Sequence, residues 1–139
     1  MRHLLSFICL SLACQGALAE GPWKFRMENA ENEVLLCLDL YEESVDVPGM
    51  SMFGPMNGYL GGKGVYGVWM VTSFKIVSDK EAQLHLSNDQ GSETQPARLT
   101  WTSDTTCLFE QTGGNVIKKA VNRKLVKIPA KLELRRAAR

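Results

Sequence analysis

The sequence predicts an all-β fold: a small antiparallel barrel or sandwich of six to eight strands, mostly hairpin-connected, with room for one short helix. Three observations predict it. Apolar and polar residues alternate with a period of two along most of the chain. Turn residues recur roughly every ten residues. The composition, 45% hydrophobic and 22% charged, is that of an ordinary globular domain.

Residues 1–19 have the pattern of a secretory signal peptide. A short positive start precedes an apolar run from Leu4 to Ala13, and Ala17-Leu18-Ala19 forms a small-residue cleavage site. The run is shorter than the roughly 20 residues that span a bilayer, and no later segment approaches that length. We therefore expect a single exported β-domain over 20–139, most simply in the bacterial periplasm, with no transmembrane segment and no nucleic-acid partner.

The strands can be predicted in chain order. Residues 23–27 and 33–43 alternate first, followed by the apolar stretch 65–77 and by the segments 81–88, 95–103 and 106–111. In 65–77 the alternation puts one set of side chains on one face (Val68, Met70, Phe74, Ile76) and a second set opposite (Trp69, Val71, Val77). A last strand is predicted from Val126 to Arg135, where Pro129 favours a sheet edge or a bulge. Residues 116–123 fit either a short helix or a strand.

Gly67-Val68-Trp69 resembles the G-x-W motif that opens the first strand of lipocalin-type barrels. The resemblance covers three residues, and here the motif follows an earlier predicted strand. It supports a barrel with a tryptophan near one end.

The cysteines and histidines limit the possible chemistry. Once the signal peptide is removed, Cys37, Cys107 and His85 remain. Two cysteines in an exported protein most simply form one disulfide, and the alternative is two free buried thiols. His85 falls on the polar face of its strand, and no carboxylate pair converges. We therefore predict no enzymatic activity, no catalytic residues and no cofactor.

Residues 47–64 interrupt the β pattern with a loop rich in glycine and methionine, the Gly/Met loop. Large apolar side chains crowded in a loop are typical of an interaction surface. We expect it to bind an envelope partner, either a protein or a small apolar ligand, through Met50, Met52, Phe53, Met56, Tyr59 and Leu60. An alternative is a Cu(I) or Ag(I) site formed by thioethers, which are soft ligands, using Met50, Met52 and Met56.

Charge is distributed unevenly between the two ends of the chain. Residues 20–46 hold eight acids and two bases, whereas 111–139 hold nine bases and one acid. The two ends could lie side by side and neutralise each other. Alternatively, the basic end could attach to an anionic surface. The candidate contacts for such a surface are Lys118, Lys119, Arg123, Lys124, Lys127, Lys131, Arg135 and Arg136.

Overall fold

The computed structural model describes residues 21–89 and 93–136, and the predicted signal peptide lies outside these ranges. The strands are β1 (Lys24–Asn29), β2 (Val34–Asp39), β3 (Gly58–Gly61), β4 (Trp69–Ile76), β5 (Glu81–Asn88), β6 (Thr94–Trp101), β7 (Thr106–Gln111), β8 (Lys118–Val121), β9 (Lys124–Lys127) and β10 (Lys131–Arg136). The helical structure in these ranges is one 3-10 turn, Ser51–Phe53.

Eight of the strands form a closed antiparallel barrel in the order β1-β2-β3-β4-β5-β6-β7-β10, and β10 pairs back with β1. Each connection joins strands that are neighbours in the barrel. Between β7 and β10 the chain makes a separate two-stranded hairpin, β8–β9. The predicted all-β, hairpin-connected class is confirmed, with the barrel as its form. The segment 116–123 contributes a strand rather than a helix.

Alternating side chains from all eight barrel strands fill the interior. The alternating apolar residues of β5 and β6 (Ala82, Leu84, Leu86, Ala97, Leu99) are all buried, and they pack in one cluster with Phe109, Leu132 and Leu134. Trp69, which opens β4, is 1% exposed and belongs to the same cluster. The barrel with a buried tryptophan near one end, which the Gly67-x-Trp69 motif favours, is therefore present.

An aromatic cluster closes the end of the barrel where β1 begins, which we call the upper end. The Trp23 and Trp101 rings lie 6.1 Å apart, and Phe25 meets Trp101 edge-on at 5.6 Å. Tilted and edge-to-face rings at such spacings are favourable aromatic geometries. At the opposite, lower end, Ile117 and Ile128 are buried at the base of the β8–β9 hairpin.

A β-bulge overturns the predicted faces of β4. The pairing with β5 shifts register between Val71 and Ser73, so that an extra residue stands in β4. An extra residue turns every later side chain to the other face. Trp69 and Val71 therefore point inward before the bulge, and Phe74, opposite buried Leu84, points inward after it.

Two other predictions are wrong. The predicted strand 126–135 is broken at Pro129, because β9 ends at Lys127 and β10 begins at Lys131. The predicted disulfide is absent, and both cysteines are free. Cys37 lies on the outer face of β2, opposite Arg26 of β1. Cys107 of β7 is buried and lies opposite the core residue Leu134 of β10. Strands β2 and β7 are separated by β1 and β10, so the two thiols cannot meet.

Candidate functional site

The connection from β2 to β3 is an ordered excursion at the upper end of the barrel. Val45 and Met56 exchange backbone hydrogen bonds of 2.9 and 2.8 Å, which close the loop between them. Val47 is 3% exposed and holds the start of the loop against the protein. Asp39, at the end of β2, accepts hydrogen bonds from the backbone N–H groups of Tyr41 (3.1 Å) and Glu42 (3.0 Å). The excursion is thus fixed at its base.

Met52 and Phe53 form the tip of this loop. They lie in the 3-10 turn, and their side chains are 79% and 65% exposed. The turn is held by the Phe53 N–H, which donates to Met50 O at 3.0 Å, and Gly54 follows with a φ of 73° that favours glycine. Two large apolar side chains are therefore presented to solvent on a defined backbone.

The six residues predicted to contact a partner differ in their exposure. Met50 and Met56 are half-buried beside the exposed tip. Tyr59 and Leu60 lie in β3 and do not form part of an exposed surface. Leu60 is fully buried in the core, and Tyr59, 8% exposed, lies over Gly61. The prediction that these last two residues contact a partner at the surface is therefore wrong for the protein as folded, because β3 is a barrel strand.

The alternative thioether site stays a prediction. Its three methionines all lie in the excursion that the Val45–Met56 pair closes, with Met52 at the exposed tip. The predicted small apolar ligand has a different difficulty, because side chains fill the barrel interior. The hollow described below lies on the outside of the barrel.

Sequence reasoning missed an open sheet edge at the same end of the barrel as this loop. β3 pairs with β4 at two positions only, Tyr59 with Met70 and Leu60 with Trp69. Beyond them, residues 73–76 of β4 pair with β5 on one side, and Thr72 is the extra residue of the bulge. Within the described residues, no strand pairs with residues 72–76 on the other side. These five residues are exposed, and Phe74 and Ile76 are each 38% accessible. We call residues 72–76 the open edge.

The backbone groups that face the open edge can be assigned from the hydrogen-bond register. Val77 N–H donates to Glu81 O at 3.0 Å, so this pair is hydrogen-bonded. In an antiparallel ladder such pairs alternate with pairs whose backbone groups point away. Lys75 and Ser73 therefore bond to β5, whereas the N–H and C=O groups of Phe74 and Ile76 point out of the open edge.

The outer wall next to the open edge is polar and basic. A hollow of about 470 Å³ lies over β4, β5 and β6, lined by residues that include Lys75, Gln83, His85 and Arg98. Arg98 Nη2 lies 3.2 Å from Glu110 Oε2, and the described residues that line the hollow include no acid. His85 is exposed there, and Thr72 Oγ1 donates to its backbone oxygen at 3.1 Å.

The eight basic residues predicted to contact an anionic surface fall into two groups. On β10, Lys131 approaches Glu110 at 3.9 Å, Arg135 bonds Glu133 at 2.8 Å, and Arg136 lies 5.9 Å from the ring of Trp101. β10 also pairs with β1, so the acidic and basic ends of the chain do lie side by side there. The other five residues (Lys118, Lys119, Arg123, Lys124, Lys127) belong to the β8–β9 hairpin or its turn.

In residues 21–89 and 93–136 no helix has the length and apolar character of a membrane span, and no cluster of His, Cys, Asp or Glu is placed to hold a metal. The absence of enzymatic activity stays a prediction. Comparisons with family models, curated proteins and solved structures gave no match for this chain.

Proposed function

We propose that this chain is an exported, non-enzymatic binding domain that captures an extended segment of a partner protein at the upper end of the barrel. The observation that carries the proposal is the open edge of β4, which has no partner strand among the described residues and lies at the same end as the exposed loop tip. An exposed edge is a template for an added strand, and strand addition is a recurrent way of binding peptides.

The open edge also indicates the chemistry of the partner. Phe74 and Ile76 face the barrel side of the sheet while remaining partly exposed, so an added strand would cover them with apolar side chains. Lys75 faces the outer wall with His85 and Arg98, where a carboxylate would be favourable. We therefore expect a segment that alternates apolar and acidic residues.

The loop tip would contribute the remaining contact. It belongs to the connection that leads directly into β3, the strand that stops short beside the open edge. Met52 and Phe53 have the size and exposure of residues that dominate binding energy when a partner covers them. Lys75 and the bulge at Val71/Ser73 are features that limit unspecific edge pairing.

The test is quantitative co-purification from an envelope fraction. We expect a partner that the wild type retains and that both Met52→Ser/Phe53→Ser and Ile76→Pro lose at least tenfold. Ile76→Ala, which keeps the backbone N–H but loses apolar contact, should retain more partner than Ile76→Pro. Leu125→Ser/Val126→Ser, which removes exposed apolar residues from the opposite end, is the control that should retain it fully. A partner retained equally by all variants, each with unchanged thermal unfolding, would contradict the proposal.

A further inference from the structure

The β8–β9 hairpin is a separate structure at the lower end of the barrel. Lys119 pairs with Val126, Ala120 with Leu125, and Val121 with Lys124. Asn122 and Arg123 make the two-residue turn with φ values of 50° and 66°. Positive φ at both positions is the type I′ geometry that matches the twist of a hairpin.

The base of the hairpin is anchored and its tip is not. Ile117 and Ile128 are 0% and 3% exposed, and Ile128 N–H donates to Ile117 O at 3.0 Å. Tyr66 N–H donates to Lys118 O at 2.7 Å and ties the first strand to the barrel. From Ala120 to Lys127 every residue is exposed. The hairpin therefore projects from a fixed base.

The hairpin is strongly cationic. Its five basic residues lie within 118–127, and this segment contains no acid. The ion pairs formed among the described residues involve Lys24, Arg98, Lys131 and Arg135 and none of these five. Within the part of the chain that the structure describes, these five charges are therefore available to an outside partner. The basic residues of β10, by contrast, contact groups of the barrel itself.

The exposed apolar side chains of the hairpin favour a lipid bilayer over a simple polyanion as the outside partner. Val121, Leu125 and Val126 are 40%, 51% and 44% exposed between the cations of the base and those of the tip. Leu125 lies on one face with Lys127, while Val121 and Val126 lie on the other with Lys119 and Lys124. A polyanion in water would use the cations alone. At a lipid interface the apolar side chains enter the acyl boundary while lysine and arginine reach the headgroups.

We propose that the β8–β9 hairpin docks the protein on an anionic lipid bilayer, with its apolar residues at the acyl boundary and its five cations among the headgroups. The proposal is independent of partner capture, because the hairpin lies at the opposite end of the barrel. Docking there would leave the loop tip and the open edge facing away from the membrane.

Sedimentation with lipid vesicles tests whether the hairpin docks on an anionic bilayer. We expect binding to vesicles of phosphatidylethanolamine with phosphatidylglycerol, and at least tenfold weaker binding to phosphatidylcholine vesicles. Leu125→Ser/Val126→Ser should weaken binding to the anionic vesicles at least fivefold without changing charge. Lys119→Gln/Lys124→Gln should weaken it and reduce its dependence on salt. Lys131→Gln, which removes one charge outside the hairpin, and Met52→Ser/Phe53→Ser should leave binding within twofold of wild type.

Three results would overturn the proposal. The first is equal binding to neutral and anionic vesicles. The second is anionic binding that is unaffected by Leu125→Ser/Val126→Ser, which would indicate charge attraction alone. The third is binding to soluble polyglutamate but not to vesicles, which would indicate a polyanion as the partner. Thermal unfolding of each variant confirms that the barrel is intact.

Discussion

Trp23 Nε1 donates a hydrogen bond of 2.9 Å to the backbone oxygen of Ser78, and this bond joins the start of β1 to the turn after β4. Strands β2 and β3 lie between them in the barrel, so the indole reaches across the upper end. The open edge has no neighbouring strand among the described residues on that side. It is therefore held by β3 at one end and by the Trp23–Ser78 bond at the other.

Trp23→Phe should lower the free energy of unfolding more than the same substitution at Trp69. Both tryptophans are buried, at 0% and 1% exposed, so both lose similar ring area. Trp69 Nε1 has no hydrogen-bond partner among the described residues, whereas Trp23 loses its bond to Ser78. We expect a difference of about 1–3 kcal/mol in urea unfolding. Equal losses would mean that the bond contributes nothing.

Asp39 should stabilise the protein in a pH-dependent way. Burial raises the pKa of this carboxyl, but hydrogen bonds from Ser44 and two backbone N–H groups, with the Lys24 charge, outweigh burial and lower the pKa below 3.8. A lowered pKa stabilises the fold at pH values above the unfolded pKa, and this stability is lost as the pH falls through the folded pKa.

Asp39→Asn should therefore cost about 1–3 kcal/mol at pH 7, and its difference from wild type should shrink below pH 3.8. The measurement is urea unfolding across this pH range. Asp46→Asn, which changes an exposed acid, serves as the control and should have little effect. A difference between Asp39→Asn and wild type that did not change with pH would contradict the role of the charge.

Proline substitution along β4 should report which backbone groups face the open edge. Lys75→Pro removes an N–H that bonds to β5, while Ile76→Pro removes one that points outward. Relative to Ala at the same position, we expect Pro to cost about 1–3 kcal/mol more at 75 than at 76. The reverse order in urea unfolding would show that the assigned register is wrong.

The two cysteines should differ in reactivity. Cys37 is partly exposed and accepts a hydrogen bond of 3.6 Å from Arg26, whereas burial raises the pKa of Cys107 to about 12. Because the thiolate is the reactive form, a thiol reagent at pH 8 should label Cys37 alone in the native chain from Glu20 onwards.

Unfolding without reductant should then expose the second thiol. Cys37→Ser should abolish native labelling, whereas Cys107→Ser should leave it. If the unfolded, non-reduced wild type showed no free thiol, a disulfide would be present and the assignment of the two faces would be wrong.

The alternation of apolar and polar residues along the sequence predicted most of the strands. In β5, the alternating residues Ala82, Leu84 and Leu86 all face inward, because a regular strand has only two faces and one of them is buried here. Alternation does not reveal a bulge, which depends on the partner strand, so Phe74 and Ile76 were predicted on the wrong side relative to Trp69. Because alternation says nothing about partner strands, it also did not predict the open edge.

The loop and the disulfide were mispredicted for related reasons. Glycines around Tyr59 and Leu60 suggested a surface loop, yet Gly58 is required inside the barrel, because a Cβ there would meet the backbone oxygen of Cys37. A cysteine pair predicts a disulfide only if both side chains share a face and neighbouring strands. Spacing alone could not show that Cys37 and Cys107 do not.

The most direct test of partner capture is amide hydrogen exchange at Phe74 and Ile76, in the free protein and in the complex with the co-purified partner. In the free protein we expect both amides to exchange much faster than those of Ser73 and Lys75, which bond to β5. In the complex, both should become protected. Protection elsewhere on the barrel, with Phe74 and Ile76 exchanging as before, would contradict strand addition at the open edge.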